Sequence, residues 1–213
     1  MKMDSNMLKP IADKVMIAGS YALKMYIDRH QLGIPFEVND VDLFLYNETD
    51  KEVVLDYLRT LEITVLKDDA NTLSFLHQET AYQLVKPRKT TYLVTYGHPR
   101  TLLKYFDFSI VRVAYQLHSG KFYILNRKEF LRDLKDRRLR IKHIVCPFNL
   151  VYRTAKYTKK GFHLSMIETM KIFDTWEARK DQQKEIREAI KKLQSSDLTS
   201  KSFYEVMDRF IVD

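Results

Sequence analysis

The chain of 213 residues has one cysteine, Cys146, which excludes an internal disulfide and leaves the scattered histidines without thiolate partners for a zinc site. The six histidines lack metal-ligand spacing and read as structural or exposed. Glycine and proline are scarce, at five each, and repeats, low-complexity tracts and Gly/Ser linkers are absent, which argues against tethered arrays and disorder. No apolar run approaches the roughly 20 residues that cross a bilayer, and the opening MKMDSNMLKPIADK lacks the apolar core of a signal peptide. The expected setting is therefore the cytoplasm, without a membrane partner. Acidic residues are the minority, 28 against 36 Lys and Arg, so the net charge is +8 and anionic partners are favoured.

What is present is an ordinary globular composition, 45% hydrophobic and 30% charged, long enough for a sizeable core. The patterns predict an α+β chain: a mixed, mostly antiparallel sheet flanked by helices, then a helical half. Val15 to Ala18 reads as a strand, residues 20 to 30 as a helix, Asp40 to Tyr46 as a second strand, and Asp50 to Leu61 as a helix packed back on the sheet. Ile63 to Lys67, Thr72 to Leu76 and Ala81 to Val85 read as an antiparallel meander, with Asp68-Asp69-Ala70-Asn71 as turn chemistry. A strand is predicted over Phe106 to Tyr115, with Asp107, Ser109, Val111 and Val113 on one face, and a shorter one over Phe122 to Leu125. Beyond residue 127 the pattern is helical: Phe130, Leu131 and Leu134 on a basic helix, Leu150 to Lys160 closed by Gly161, and capping boxes at Ser165-x-x-Glu168 and Ser202-x-x-Glu205. Ile167, Met170 and Phe173, like Phe203, Val206, Met207 and Phe210, are expected in the core, and Asp181 to Gln194 forms a charged surface helix.

One stretch carries chemistry. Asp40 and Asp42, two residues apart on a strand, point to one face and form a pair of hard oxygen ligands suited to Mg²⁺. Gly19 permits close backbone approach, and Ser20 opens a helix where its hydroxyl can cap and the free N–H groups attract phosphate. A phosphate cradle followed by a two-carboxylate metal site is the equipment of metal-assisted phosphoryl or nucleotidyl transfer. Cations crowd residues 120 to 161, opposed only by Glu129, Asp133 and Asp136; Arg153, Lys156 and Lys160 project from one helix face, as a solvated surface or a binding one.

Gly19-Ser20, then Asp40-Val41-Asp42 running into Leu43-Phe44-Leu45, resembles the signature of the polymerase β-type nucleotidyltransferase superfamily. The resemblance implies a third carboxylate on a later strand, best matched by Asp107, so that Asp40, Asp42 and Asp107 bind two Mg²⁺ ions, with Mn²⁺ as a substitute. It implies a catalytic domain over 1–125 and a helical domain over 126–213, with the site between them. In template-independent members, a helical domain supplies basic and aromatic side chains to the nucleotide; Arg153, Lys156 and Tyr157 are the counterparts here, beside Gly19 and Ser20. The implied reaction is attack of an acceptor hydroxyl on the α-phosphorus of a nucleoside triphosphate, releasing pyrophosphate. RNA is the acceptor the basic half favours, with stacking by aromatics such as Tyr157 or Phe162. Protein nucleotidylylation, second-messenger synthesis and non-catalytic nucleotide or RNA binding are the alternatives.

Overall fold

The computed structural model describes residues 3–90, 92–180, 183–184 and 187–188. In chain order the elements are α1 (Ser5–Leu8), β1 (Val15–Ala18), α2 (Ser20–Arg29), β2 (Asp40–Leu45), α3 (Lys51–Arg59), β3 (Thr64–Asp68), β4 (Thr72–His77), β5 (Thr80–Val85), α4 (Pro99–Leu102), β6 (Val113–Gln116), β7 (Lys121–Ile124), α5 (Arg127–Lys135), β8 (Arg138–Leu139), α6 (Pro147–Thr158), β9 (His163–Leu164) and α7 (Met166–Ala178). Seven strands form one mixed sheet in the order β3-β4-β5-β2-β1-β6-β7, and β8 pairs with β9 separately. The predicted α+β class is what the structure has.

The short run Val15-Met16-Ile17-Ala18 is wholly apolar because β1 is buried on both faces between β2 and β6. Its neighbours alternate. Val41, Leu43 and Leu45 of β2, with Tyr82 and Leu84 of β5, pack beneath Tyr26 and Ile27 of α2 and Val54 and Leu58 of α3 in one core. Asp40, Asp42, Gln83 and Ser74 lie on the opposite, partly open face. β2 and β5 are parallel, with Asp42 opposite Gln83, an exception in a sheet otherwise antiparallel. The Asp68–Asn71 turn is turn chemistry as predicted: Asp69 Oδ1 accepts from the amides of Asn71 and Thr72, both at 2.7 Å. On β3 an irregularity between Val65 and Lys67 shifts the register, so Lys67 rather than Leu66 stands opposite Ser74. A bulge of this kind re-aims a side chain.

Two expectations need correction. Phe106 to Tyr115 is not one strand: a 3-10 turn spans Ser109–Val111, and pairing begins at Val113. Arg112 ties the backbone back on itself, donating to the carbonyls of Phe106 (3.0 Å) and Lys104 (2.6 Å). Ser109 Oγ donates to Asp133 (2.7 Å), a fully buried carboxylate also bound by Arg140. Burial pushes the Asp133 carboxyl up, but its bonds from Arg140 and Ser109 more than reverse this and hold it below the usual range. Secondly, the apolar stripe of α7 is not core. Ile167, Met170 and Phe173 are 71%, 50% and 57% exposed, and Ile172 is the apolar residue that turns inward. Leu131 of α5 is likewise exposed, where Phe130 and Leu134 are buried. Only half of the Ser165 capping box forms: Ser165 accepts from the Glu168 amide, while the Glu168 carboxylate accepts from Ile141 N at 2.9 Å. Of the predicted helix at Asp181–Gln194, residues 183–184 and 187–188 are described and are helical; its other residues and the Ser202 capping box lie outside the described residues.

Phe130, Leu134, Leu139, Ile141, Leu150, Tyr157, Phe162 and Ile172 join the same core as Val41, Leu43 and the α2 and α3 residues, so the basic half is packed into the body of the fold rather than tethered to it. From there α6 brings Asn149, Arg153 and Lys156 to a cleft that the open-face residues Asp40, Asp42 and Gln83 also line.

Candidate active site

The cleft, about 360 Å³, lies between the open sheet face and α6. Gly19, Ser20, Asp40, Asp42, Asp107, Arg153 and Lys156 all line it. Arg153 and Lys156 come one turn apart on α6, while Asp40 and Asp42 rise from β2 two residues apart. Asp40 and Asp42 are half-buried, and among the described residues no hydrogen bond or ion pair reaches either carboxylate. Burial, with the like charge of Asp40 beside it, pushes the Asp42 carboxyl up to about 7, against the pull of Arg153 and Lys156. Two hard oxygen donors strained by their own proximity fit a divalent cation, which would neutralise both.

Asp107 is placed differently from the sequence expectation. It is not on a strand, and Arg153 grips it through Nε to Oδ2 and through Nη2 to Oδ1 at 3.2 Å. Burial works against the Arg153 charge, but Asp107 overcomes it and keeps the guanidinium firmly protonated. Among the described residues no three His, Cys, Asp or Glu side chains gather into a metal-holding group, so the expected three-aspartate cluster is not assembled. The physical reason is the Arg112-anchored turn, which ends the strand short of Asp107, together with the fork of Arg153.

Gly19 and Ser20 lie where β1 turns into α2. Gly19 is the N-cap, with φ +77°, and offers no side-chain cap, so the first-turn amides keep their donors. A Cβ there would stand 3.0 Å from the Phe106 ring and 4.0 Å from Asp42 Oδ2. Gly19→Ala is therefore expected to cost about 1–3 kcal/mol, read as a lower denaturant midpoint, because an L residue at this φ is strained and Phe106 must yield. Ser20 does not cap the helix as predicted. Its hydroxyl is 2.6 Å from the Tyr157 hydroxyl. Tyr157 is itself buried, at 1% exposure among Phe36, Phe108 and Phe162, and burial pushes its hydroxyl up to about 12. Its ring, like the buried Phe162, is packed in the core and not free to stack on a base; it holds Ser20 in place from below. Lys160 leaves the cleft to Lys156 and sits 4.4 Å over the Phe36 ring.

Sequence reasoning missed Gln83, Asn71 and Thr72, which line the cleft on the β4–β5 side, and Phe106 under Gly19. The signal for Gln83 was there, as the polar position within Ala81-Tyr82-Gln83-Leu84-Val85, but the parallel pairing that brings it beside Asp42 was not.

This sheet, with a helix N-terminus and a carboxylate pair facing an added helical layer, is a nucleotidyltransferase-like α+β fold. It is similar to a tRNA nucleotidyltransferase complexed with a primer tRNA and an incoming ATP analog (21% identity, TM-score 0.53, covering 80% of this chain and 48% of that one). It is also similar to a CCA-adding enzyme complexed with CTP (17% identity, TM-score 0.58, covering 99% and 53%). The Thermotoga maritima CCA-adding enzyme complexed with tRNA matches at 18% identity and TM-score 0.53, covering 80% and 42%. The chain thus spans about half the length of these proteins, and at such identity the likeness is one of fold. The chain belongs to the Gabija anti-defense 2 family (Gad2), whose model matches residues 2–137. No curated protein matches it. No helix among the described residues is long and apolar enough to cross a membrane.

Proposed function

We propose that the protein transfers a nucleotidyl group from a nucleoside triphosphate to an acceptor hydroxyl, with RNA as the acceptor class, and that this transfer serves the anti-defense role for which its family is named. One observation carries the reading: two carboxylates with no hydrogen-bond or ion-pair partner among the described residues share a cleft with an uncapped helix N-terminus and two cationic side chains. Asp40 and Asp42 would hold a divalent cation, Mg²⁺ or Mn²⁺, which supplies charge neutralisation at the phosphates and lowers the pKa of a bound hydroxyl. Ser20 and the first amides of α2 orient the β and γ phosphates, and Lys156 neutralises them from α6. Asp107 and Arg153 act as a unit. Arg153 turns to the triphosphate when it lets go of Asp107, and Asp107 then faces the acceptor hydroxyl as the third carboxylate. The division into a catalytic part, 1–125, and a helical part, 126–213, belongs to this reading, with α6 of the second part closing the site of the first.

The test is incubation with Mg²⁺ or Mn²⁺ and each α-labelled nucleoside triphosphate, alone and with total RNA or cell protein, beside an Asp40→Ala/Asp42→Ala control. Label moving to RNA only with intact aspartates supports the reading. Label on protein or in a free nucleotide product redirects the acceptor, and metal-dependent binding without transfer makes the chain a nucleotide-binding module.

A further inference from the structure

The cleft is asymmetric about the aspartate pair. On the α6 side stand the helix α2 N-terminus, Arg153 and Lys156. On the other side the open sheet face continues outward from Asp42, for register places Asp42, Gln83, Ser74 and Lys67 in one row across β2, β5, β4 and β3. Adjacent strands lie roughly 4.8 Å apart, so Gln83 is one strand from Asp42 and Lys67 roughly 14 Å away, about the reach of one nucleoside and its neighbour. The bulge in β3 is what turns Lys67, in place of the apolar Leu66, onto this face.

The chemistry of this end is not that of a phosphate site. Lys67 is paired with Asp69 at 2.8 Å, and Gln83, Asn71 and Thr72 are neutral. The Asn71–Thr72 backbone is pinned by Asp69 and by Lys86 N donating to Asn71 O at 2.8 Å, which makes this wall rigid. Gln83 is half-buried, lines the cleft, and its carboxamide has no hydrogen-bond partner among the described residues. A half-buried cleft amide that offers both a donor and an acceptor, beside the apolar Val85, Leu93 and Val94, suits a planar group with a hydrogen-bonding edge.

We propose that the Gln83–Asn71–Thr72 wall is the acceptor subsite, and that it takes the terminal nucleoside of an RNA strand with Gln83 reading its base. The inference rests on the transfer reading above and adds the place and chemistry of the acceptor. The triphosphate is drawn to the cationic end, so the acceptor hydroxyl approaches the aspartates from the sheet side, and its base lies over β5 and β4. A glutamine amide paired to a base edge discriminates by roughly 5- to 100-fold.

The experiment compares wild type with Gln83→Ala and the isosteric Gln83→Glu on four short RNAs that differ only in the 3′-terminal base. Transfer kinetics are measured together with binding of the same RNAs to catalytically slowed Asp42→Asn protein, with and without Gln83. The expected result is an acceptor KM raised about tenfold, a flattened preference among the four RNAs, and a nucleotide KM changed less than twofold. Unchanged base preference and acceptor KM in both variants overturn the subsite while leaving the transferase reading intact. If wild type transfers to no RNA, the transferase-on-RNA reading fails. The subsite is still decided by binding: Gln83-dependent binding of the short RNAs sustains it, and binding indifferent to Gln83, or none, overturns it.

Discussion

Asp42→Asn is expected to slow the proposed transfer by about 10²–10³-fold while raising the melting temperature. The Asp42 carboxylate is half-buried beside Asp40 without a hydrogen-bond or ion-pair partner among the described residues, so in the absence of a cation its charge opposes folding. The isosteric amide removes that repulsion and should add on the order of 1–2 kcal/mol, a rise of roughly 2–8 °C for a chain of this size. Activity moves the other way, since losing one preorganised electrostatic element at the reacting centre costs about 10²–10³-fold in kcat. The pH dependence gives an independent check. With its folded pKa near 7 and an ordinary unfolded value of 3.8, Asp42 binds its proton more tightly in the folded state. Its contribution is therefore full below about pH 4, declines as pH rises, and is lost above about pH 7. Wild type in chelator should lose stability across this window, Mg²⁺ should offset the loss, and Asp42→Asn should lack that component of the slope. Melts that are superimposable for the two proteins from pH 4 to 8 would refute the unpartnered-carboxylate account.

Much of this site was legible in the sequence because its parts are local. A four-residue apolar run, a glycine before a helical pattern, and two acids at period two each announce β1, α2 and β2 within a window of a few residues. What was illegible depends on partners far along the chain. Phe106 to Tyr115 is apolar enough to predict a strand that carries Asp107, but Ser109 is held by Asp133, 24 residues on, and Phe108 bridges to Ile141. Tyr157 has the spacing of a cleft residue yet its ring is buried, since Phe36 and Phe108 close over it from two other segments. The α7 stripe misled in the opposite direction: Met166, Ile167, Met170 and Phe173 have the spacing of a core face, while the residue that meets the core is Ile172. Periodicity identifies an apolar face but not what stands opposite it.

Arg153→Gln should be the most informative single change, because the same side chain lines the cleft and restrains the third carboxylate. Asp107 is 13% exposed and Arg153 35%, so the pair is neither a surface bridge nor fully enclosed. Removing one partner of a fully buried pair costs about 3–5 kcal/mol; access to the cleft reduces this to about 2, a fall of roughly 4–8 °C. The cause is the charge left on Asp107, so adding Asp107→Asn to Arg153→Gln should recover most of the loss. If the double variant stays as unstable as the single one, packing of the arginine stem is responsible instead. Divalent cation then separates a structural acid from a latent ligand. Mg²⁺ titrated into Arg153→Gln should restore stability at lower concentration than it raises that of wild type, since no guanidinium competes for Asp107, and the effect should vanish in the double variant. Should Mg²⁺ leave Arg153→Gln unmoved, Asp107 serves only to hold α6 against the turn after Phe106, and the proposed transfer would have Asp40 and Asp42 alone as its metal carboxylates.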